Sequence, residues 1–312
     1  MTITDQDIRD AAAALRGIAV RTPLLWVPAL SAYLKREDLQ PVGAFKVRGA
    51  YNAVRRLSDA VRRRGVITYS SGNHGQALAF AAKQFGVRAV VTMPETAPTI
   101  KVEGVKRWGG EVVLAGRTSE DRRLVAEEIA AREGLAIVPP FDHPDIVAGQ
   151  ATVGLEIAEE LPEVATVVVP VGGGGLVSGV VRGLAAARSR AMVWGVEPAG
   201  APKLSRSWAA GHPVRLEQSA SVADGLITLT VGAIPFAVLQ EQRDRFAGVV
   251  TVEDDSIREA VHFLRRECGL VVEPSGAATT AALRSGAVHQ AAAGPTVLVV
   301  SGGNLDPALL EA

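Results

Sequence analysis

The longest apolar tract of this chain, residues 165–181, is broken by Pro170 and by a run of glycines, Gly172, Gly173, Gly174 and Gly175. A membrane-spanning helix needs about 20 largely uninterrupted apolar residues, so the tract does not predict one. Its Val-rich first half predicts a buried strand, and the segment after the glycines predicts a helix. A strand, a glycine turn and a helix in this order are typical of a parallel sheet that helices cover on both faces.

The same alternation continues along most of the chain. We predict strands at 65–69, 89–93, 111–114, 136–138, 165–171, 192–197, 249–252 and 296–300. Helical patterns lie between them, near 73–85, 98–108, 119–132, 146–160, 175–187, 254–267 and 275–286. The predicted fold class is therefore α/β, with open, mostly parallel sheets and helices on both faces.

A proline-rich segment, PPFDHP at 139–144, follows the predicted strand 136–138. Such a segment predicts a loop, and its position suggests that the chain crosses here between two lobes. We expect a smaller domain at 48–141 and a larger domain formed by 1–47 together with 142–312.

Composition excludes several classes of protein. The 312 residues carry 33 basic and 33 acidic side chains, which favours neither a nucleic-acid partner nor a membrane surface. The single cysteine, Cys268, excludes an intrachain disulfide and suits a reducing compartment, where a structural thiol is expected. The polar, acidic start predicts no signal peptide, so we expect a cytoplasmic protein. No CxxC, HExxH or GxSxG pattern occurs, and no metal ligands are predicted.

Two turns at strand ends are suited to binding anions. The first contains Ser70, Ser71, Gly72, Asn73 and His74, whose backbone and side-chain donors suit a carboxylate; an ordinary helix cap is the alternative. The second is the glycine run 172–175, whose N–H groups can surround a phosphate. It is also a near match to the dinucleotide motif, with Ser178 in place of the third glycine and Glu197 as a candidate ribose ligand. A nicotinamide-dependent oxidoreductase therefore stays open at this point.

A lysine and a third turn complete the set of candidates. Lys46 follows Phe45 behind a bend at 41–43 and begins a predicted helix. A desolvated lysine held at such a junction is a Schiff-base nucleophile, although a surface lysine is the ordinary alternative. In the third turn, Ser301 follows the last predicted strand and can hydrogen-bond a ring nitrogen.

Together these features resemble the fold-type II pyridoxal-phosphate enzymes, specifically the threonine/serine dehydratase and serine racemase group. The resemblance runs in order from about residue 20 to 306 and implies the two-lobed, tryptophan synthase β-like fold. The matching motifs are KREDLQPVGAFKVRGAYN, SSGNHGQALAFAA, MPETAPTIK, VPVGGGGLVSG, GVEP, EPSGA and SGGN.

The resemblance implies a role for each matching position. Lys46 would form the Schiff base with pyridoxal phosphate and then remove the substrate Cα proton, and Ser71 would exchange a proton on the opposite face. The resemblance implies that Phe45 packs behind the coenzyme ring and that Asn73 contacts the ring hydroxyl. Ser301 would lie at the ring nitrogen, with Glu273 nearby. The phosphate would be bound by Gly172, Gly173, Gly174 and Gly175. The substrate contacts implied, mostly in the smaller domain, are Ser70, Ser71, Gly72, Asn73, His74 and Arg122.

The activity implied is β-elimination from L-threonine or L-serine, which yields a 2-oxo acid and ammonia. A serine or aspartate racemase, a 3-hydroxyaspartate dehydratase and a non-catalytic amino-acid-binding protein are the alternatives. The resemblance also implies a homodimer whose only other partner is an amino-acid substrate. We expect no C-terminal regulatory domain after Ala312.

Two positions depart from the pattern of this group. Ala44 stands where a serine usually precedes the Phe–Lys pair. Lys203 falls where metal-activated relatives carry a carboxylate downstream of Glu197. An ammonium group there would compete for the space of Mg²⁺ or Ca²⁺, so the resemblance leaves a divalent cation open.

Overall fold

The computed structural model of the chain describes residues 3–70, 72–97, 99–289 and 294–305. Its strands are β1 Leu24–Val27, β2 Ala32–Arg36, β3 Val66–Tyr69, β4 Ala89–Met93, β5 Glu111–Leu114, β6 Ala136–Ile137, β7 Thr166–Pro170, β8 Met192–Pro198, β9 Phe246–Val252 and β10 Thr296–Val300. Its helices are α1 Asp5–Ala14, α2 Lys46–Arg56, α3 Asp59–Arg62, α4 Asn73–Gln84, α5 Thr99–Arg107, α6 Ser119–Glu133, α7 Pro144–Glu160, α8 Gly175–Ala186, α9 Lys203–Ala210, α10 Ala233–Glu241, α11 Asp254–Cys268 and α12 Pro274–Arg284. Short 3₁₀ turns lie at Pro28–Leu30, Glu37–Leu39 and Asp224–Leu226.

Two sheets organise the strands of the described residues. The larger has the order β1-β2-β10-β7-β8-β9, and the smaller has the order β5-β4-β3-β6. Every neighbouring pair is parallel except β1 with β2, which is antiparallel at the edge of the larger sheet. The buried strands β7 and β10 lie in register, with Val297 opposite Val167. The predicted α/β fold with mostly parallel sheets is confirmed.

Each predicted strand and helix is present, with bounds that differ by at most three residues. The sequence did not predict β1, β2, α3, α9 or α10. The strands β1 and β2 are short, and the exposed Trp26 in β1 breaks the alternation that marks a half-buried strand. No helix of the described residues is long and apolar enough to cross a membrane.

The two sheets use separate parts of the chain. The strands of the smaller sheet all lie within 48–141, and those of the larger sheet all lie outside that range. This distribution is consistent with the predicted pair of domains, whose boundaries stay a prediction. The helix α2 lies between the two sheets in sequence and packs against both α4 and α7.

A buried ion network fixes the position of α2. The side chains of Arg48 and Glu37 are 1% and 0% exposed, and Arg48 Nε donates to Glu37 Oε2 at 2.8 Å. On its other side, Arg48 Nη1 donates to Glu156 Oε1 of α7 at 2.6 Å. Lys35, in β2, also donates to Glu156, at 2.7 Å. The network therefore joins β2, α2 and α7 within the first turn of α2, the helix that begins at Lys46.

Arg48→Met should lower the free energy of unfolding by about 3–5 kcal/mol, because it leaves the Glu37 carboxylate buried without its partner. The measurement is urea unfolding followed by circular dichroism. Arg258→Met is the matched control, because Arg258 is half-exposed and pairs only within its helix. A loss in Arg48→Met no larger than that of the control would contradict the importance of the network.

Candidate active site

The predicted site residues come together because parallel strands end at the same edge of a sheet. The strands β2, β10 and β7 are neighbours, and the chain leaves their carboxyl ends toward Lys46, Ser301 and Gly172 respectively. Backbone pairing then joins the first two segments: Phe45 N donates to Ser301 O at 3.0 Å, and Ala44 forms a bridge with Gly302. The loop before Lys46 is thereby fixed against the turn that follows β10.

The amine of Lys46 is held inside the protein by few contacts. Nζ donates to the backbone oxygen of Pro140 at 2.7 Å and lies 5.2 Å from the centroid of the Phe45 ring. Burial lowers the pKa of Lys46 to about 8, and the nearby Glu273 carboxyl acts against this shift. A substantial fraction of the amine is therefore neutral near physiological pH, which is the nucleophilic form.

Glu273 is the acidic group of this region. It precedes α12, is 6% exposed, and accepts a hydrogen bond from Asn73 Nδ2 at 2.8 Å. Burial raises its pKa to about 8, and the Asp224 carboxylate adds to that rise, while Lys101, Asn73 and Lys46 oppose it. The carboxyl group is therefore largely protonated at neutral pH.

The side chain of Asn73 is oriented from two directions. Besides donating to Glu273, its Oδ1 accepts from Asn304 Nδ2 at 2.7 Å. Asn304 Nδ2 also donates to Val42 O at 2.8 Å, which connects the start of α4 to the loop before Lys46. The sequence marked Asn304 only as part of the SGGN motif, and its role as a partner of Asn73 depends on a contact 231 residues away in sequence.

The turn before α4 presents polar groups with a neutral histidine behind them. Gly72 N donates to Ser70 Oγ at 3.3 Å. His74 is buried, and its Nε2 lies 3.1 Å from Val138 O, so Nε2 carries the proton and donates to that carbonyl. Burial lowers the pKa of His74 to about 3, and the Lys46 charge adds to the effect. This favours an orienting role over general-base catalysis. Ser71 lies outside the described residues.

An ion pair lies beside this turn. Lys101 of α5 pairs with Asp224, in the 3₁₀ turn Asp224–Leu226 that belongs to the other part of the chain. The Lys101 side chain also lies close to Gly72, because a Cβ built on Gly72 would lie 3.7 Å from its Nζ. No local pattern in the sequence predicts this pair, since 123 residues separate its members.

The glycine run is required by its surroundings. Gly174 has φ +90 and precedes the first residue of α8, a conformation that L side chains rarely adopt. A Cβ on Gly173 would lie 2.2 Å from the ring of Phe141, which directly follows the Pro140 acceptor of Lys46. The backbone N–H groups at the start of α8 are therefore free of side chains and lie at the positive end of the helix, where anions bind.

Ser301 and Arg122 have contrasting surroundings. Ser301 is 3% exposed, and its Oγ lies 3.5 Å from Ser275 O. Arg122 lies in the first turn of α6, where its backbone oxygen accepts from Thr92 Oγ1 at 2.9 Å. Burial lowers the pKa of Arg122, and Asp121 opposes this shift. The predicted contact of Arg122 with a substrate carboxylate stays a prediction.

This geometry can be set beside known proteins. Residues 15–302 match the family described as pyridoxal-phosphate dependent enzyme. The chain belongs to this family. The coenzyme of its members is pyridoxal 5'-phosphate, and the predicted fold-type II resemblance is confirmed.

Relatives within the family have closely similar sequences and folds. The chain is 36% identical to the L-threonine ammonia-lyase of Thermotoga maritima, covering 99% of this chain and 77% of that protein. It is 37% identical to the L-threo-3-hydroxyaspartate ammonia-lyase of Saccharomyces cerevisiae, covering 96% and 93%. The structure of maize serine racemase superposes with a TM-score of 0.93 at 34% identity, covering 100% of this chain and 96% of the other.

The strand-end groups fit the coenzyme of the family. The Phe141 ring occupies the place of a Cβ on Gly173, so this position admits only glycine, and the backbone N–H groups at the start of α8 carry no side chain that would keep a phosphate away. The Lys46 amine lies over the Phe45 ring and donates to the backbone oxygen of Pro140. The next residue, Phe141, contacts Gly173 of the glycine run. An aldehyde and a phosphate on one planar ring match these two features.

The rate at which coenzyme-free protein binds pyridoxal phosphate covalently should rise with pH to a plateau, with a midpoint near pH 8. The reason is that only the neutral amine attacks, and burial lowers the pKa of Lys46 to about 8. Glu273→Gln should move the midpoint to lower pH, because the fraction of Glu273 that is ionised near pH 8 favours the protonated amine. The measurement is stopped-flow absorbance, with the exposed Glu259→Gln as control. A midpoint close to the ordinary lysine value of 10.5 would contradict the prediction.

Proposed function

We propose that this protein is a pyridoxal-phosphate-dependent ammonia-lyase that converts L-threonine or L-serine to a 2-oxo acid and ammonia. The observation that carries the proposal is the amine of the half-buried Lys46, whose pKa is lowered to about 8, between the glycine run and the start of α4. Similarity to a threonine ammonia-lyase over 99% of the chain supports the choice of reaction.

Residues at the strand ends would hold the coenzyme. The backbone of Gly172, Gly173, Gly174 and Gly175 would bind the phosphate, because it lies at the start of α8 without side chains. Phe45 would pack behind the ring, and Asn73 would meet the ring hydroxyl with its amide already oriented by Glu273 and Asn304. Ser301 would lie at the ring nitrogen.

The proton chemistry belongs to Lys46. Bound pyridoxal phosphate supplies an electron sink that acidifies the Cα–H of an amino acid attached to it. The freed Lys46 amine then accepts that proton, and a pKa of about 8 suits a base that works near physiological pH. Ser301 is a neutral partner that would leave the ring nitrogen unprotonated. Less negative charge would then accumulate on Cα and the ring after loss of the Cα proton, which favours loss of the β-hydroxyl.

The substrate carboxylate would bind at the turn before α4. The first N–H groups of a helix have no acceptor within it, and the hydroxyl of Ser70 and amide of Asn73 add donors. The neutral His74 would orient the turn through Val138 without adding charge. Ser71 and Arg122 would complete the contacts, in a domain that we place at 48–141.

A serine racemase is the second candidate, favoured by the close superposition on maize serine racemase. Racemisation needs a proton group on each face of the substrate, and Ser71 is proposed as the second of these. The measurement is chiral chromatography of L-serine after incubation with the protein in D₂O. Deuterium at Cα without the D-enantiomer would exclude racemisation and leave the lyase activity intact.

A hydroxyaspartate ammonia-lyase is tested in parallel by adding 3-hydroxyaspartate, the substrate named for the yeast relative.

Assembly and location complete the proposal. We infer a homodimer in the cytoplasm, as the resemblance to the threonine/serine dehydratase group implies. Light scattering of the coenzyme-loaded protein measures the assembly directly, and a monomeric mass would contradict it.

Lys46→Ala should abolish both the visible absorbance of lysine-bound coenzyme and the release of 2-oxo acid from L-threonine and L-serine. The expected loss of turnover is at least about 10³-fold, because nucleophile and base are removed together. Lys83→Ala is the matched control, because Lys83 is an exposed lysine at the end of α4. Wild-type protein that gains no visible band on addition of pyridoxal phosphate would refute the proposed function.

A further inference from the structure

A second lysine is buried more deeply than Lys46 and is surrounded by oxygen atoms. The side chain of Lys203, the first residue of α9, is 0% exposed. Its Nζ donates to the backbone oxygens of Val171 at 2.9 Å, Ala201 at 3.1 Å and Leu226 at 2.8 Å. Glu197 Oε1 is a further oxygen, 3.2 Å away.

These contacts require the charged form of the amine. An ammonium has three N–H donors and no lone pair, whereas a neutral amine would direct a lone pair at one of the surrounding oxygens. Burial lowers the pKa of Lys203, and the Glu197 carboxylate acts against that shift. Lys203 is therefore a fixed cation that faces three carbonyl dipoles and one carboxylate.

The same carboxylate anchors α9. Glu197 Oε1 accepts from Leu204 N at 2.8 Å, and Oε2 accepts from Ser205 N at 2.7 Å and Ser205 Oγ at 2.8 Å. A carboxylate at a helix start is favourable because it meets both unpaired N–H groups and the positive end of the helix. Glu197 thus keeps partners of its own if the ammonium is removed.

The Lys203 ammonium joins the glycine run to the segment opposite it. Val171 directly precedes Gly172, and Leu226 directly follows Gly225. A Cβ on Gly172 would lie 2.7 Å from Gly225 O, so these two backbones are in close contact. By bonding the oxygens of Val171 and Leu226, Lys203 holds the base of the glycine run at this spacing.

A divalent cation does not fit these residues. Calcium requires six to eight oxygens at about 2.3–2.6 Å, and magnesium requires near-octahedral oxygens at about 2.0–2.1 Å. Here the oxygens lie 2.8–3.2 Å from a nitrogen that occupies their centre, and Glu197 is the carboxylate among them. Within the described residues, no group of three or more His, Cys, Asp or Glu side chains is placed to hold a metal ion.

We propose that Lys203 is an internal cation that keeps the phosphate-binding glycine run in its binding conformation and makes the protein independent of added metal ions. The inference rests on the proposed function, because the run is the proposed phosphate site. Lys203 does not touch the reacting atoms in this proposal. It is a positioning residue. Truncation of its side chain to alanine would leave a cavity lined by the same oxygens, which is a site for a free monovalent cation.

The test compares two substitutions in the coenzyme-loaded protein. Lys203→Met fills the space without charge, and Lys203→Ala leaves a cavity beside the same oxygens. Both should weaken pyridoxal-phosphate binding by about tenfold or more, since charged hydrogen bonds to the loop are lost. Both should also lower the melting temperature. Lys106→Met is the control, because Lys106 is an exposed lysine of α5.

Added salts separate a cation site from a general loss of packing. Ammonium or potassium chloride should restore coenzyme affinity and melting temperature to Lys203→Ala but not to Lys203→Met, whose side chain fills the cavity. Tetramethylammonium chloride at the same ionic strength should restore neither, because it is too large and has no N–H donors. The wild-type protein should respond to none of these salts, nor to magnesium, calcium or a chelator.

Three results would overturn the inference. One is wild-type binding that tightens with magnesium or calcium and weakens with a chelator, which is measurable even if both variants fail to fold. The others are a Lys203→Met protein that binds coenzyme as tightly as wild type, and rescue of Lys203→Ala by tetramethylammonium equal to that by potassium. In each case wild-type protein still binds pyridoxal phosphate, whereas failure of the proposed function would be seen as wild-type protein that does not.

Discussion

The parallel pairing of β10 with both β2 and β7 is the interaction on which the site depends. It places the carboxyl ends of three strands side by side, although the strands come from opposite ends of the chain. Long-range parallel pairing of this kind is stabilised by apolar burial rather than by local propensity, and the strands are accordingly Val-rich and buried. Because the backbone at 43–45 then pairs with 301–303, the position of Lys46 follows from the order of the strands.

Close contact of the glycine run with Phe141 is a second constraint, and it connects the proposed phosphate site to the Lys46 amine. The Phe141 ring fills the space where Gly173 would carry a Cβ, and the preceding Pro140 carbonyl accepts from Lys46. One short loop thus touches both ends of the proposed coenzyme site. The same loop is the predicted crossing between the two domains, whose boundaries stay a prediction.

The sequence predicted what depends on local pattern and on side-chain type. Buried strands, the start of α2 at Lys46 and the glycine run were all readable, because alternation, turn residues and consecutive glycines are local signals. Contacts between distant charged groups were not readable. The pairing of Arg48 with Glu37 and Glu156, and of Lys101 with Asp224, depends on the packing of whole elements. Sequence could suggest a cation at Lys203 but not the three carbonyl oxygens around it.

Lys35 and Lys203, which are buried, and Lys46, which is half-buried, show how the number of oxygen partners separates a structural lysine from a reactive one. Lys203 faces four oxygens, and Lys35 donates to Thr22 O and Glu156, so each of these amines is held by several partners. Lys46 donates to Pro140 O, and no second hydrogen bond from its amine is found within the described residues. Desolvation without compensating partners raises the free energy of the charged ammonium, and so lowers the pKa of the lysine. The amine that is least satisfied is therefore the one that can act as a nucleophile and base, and the better satisfied amines keep its surroundings in place.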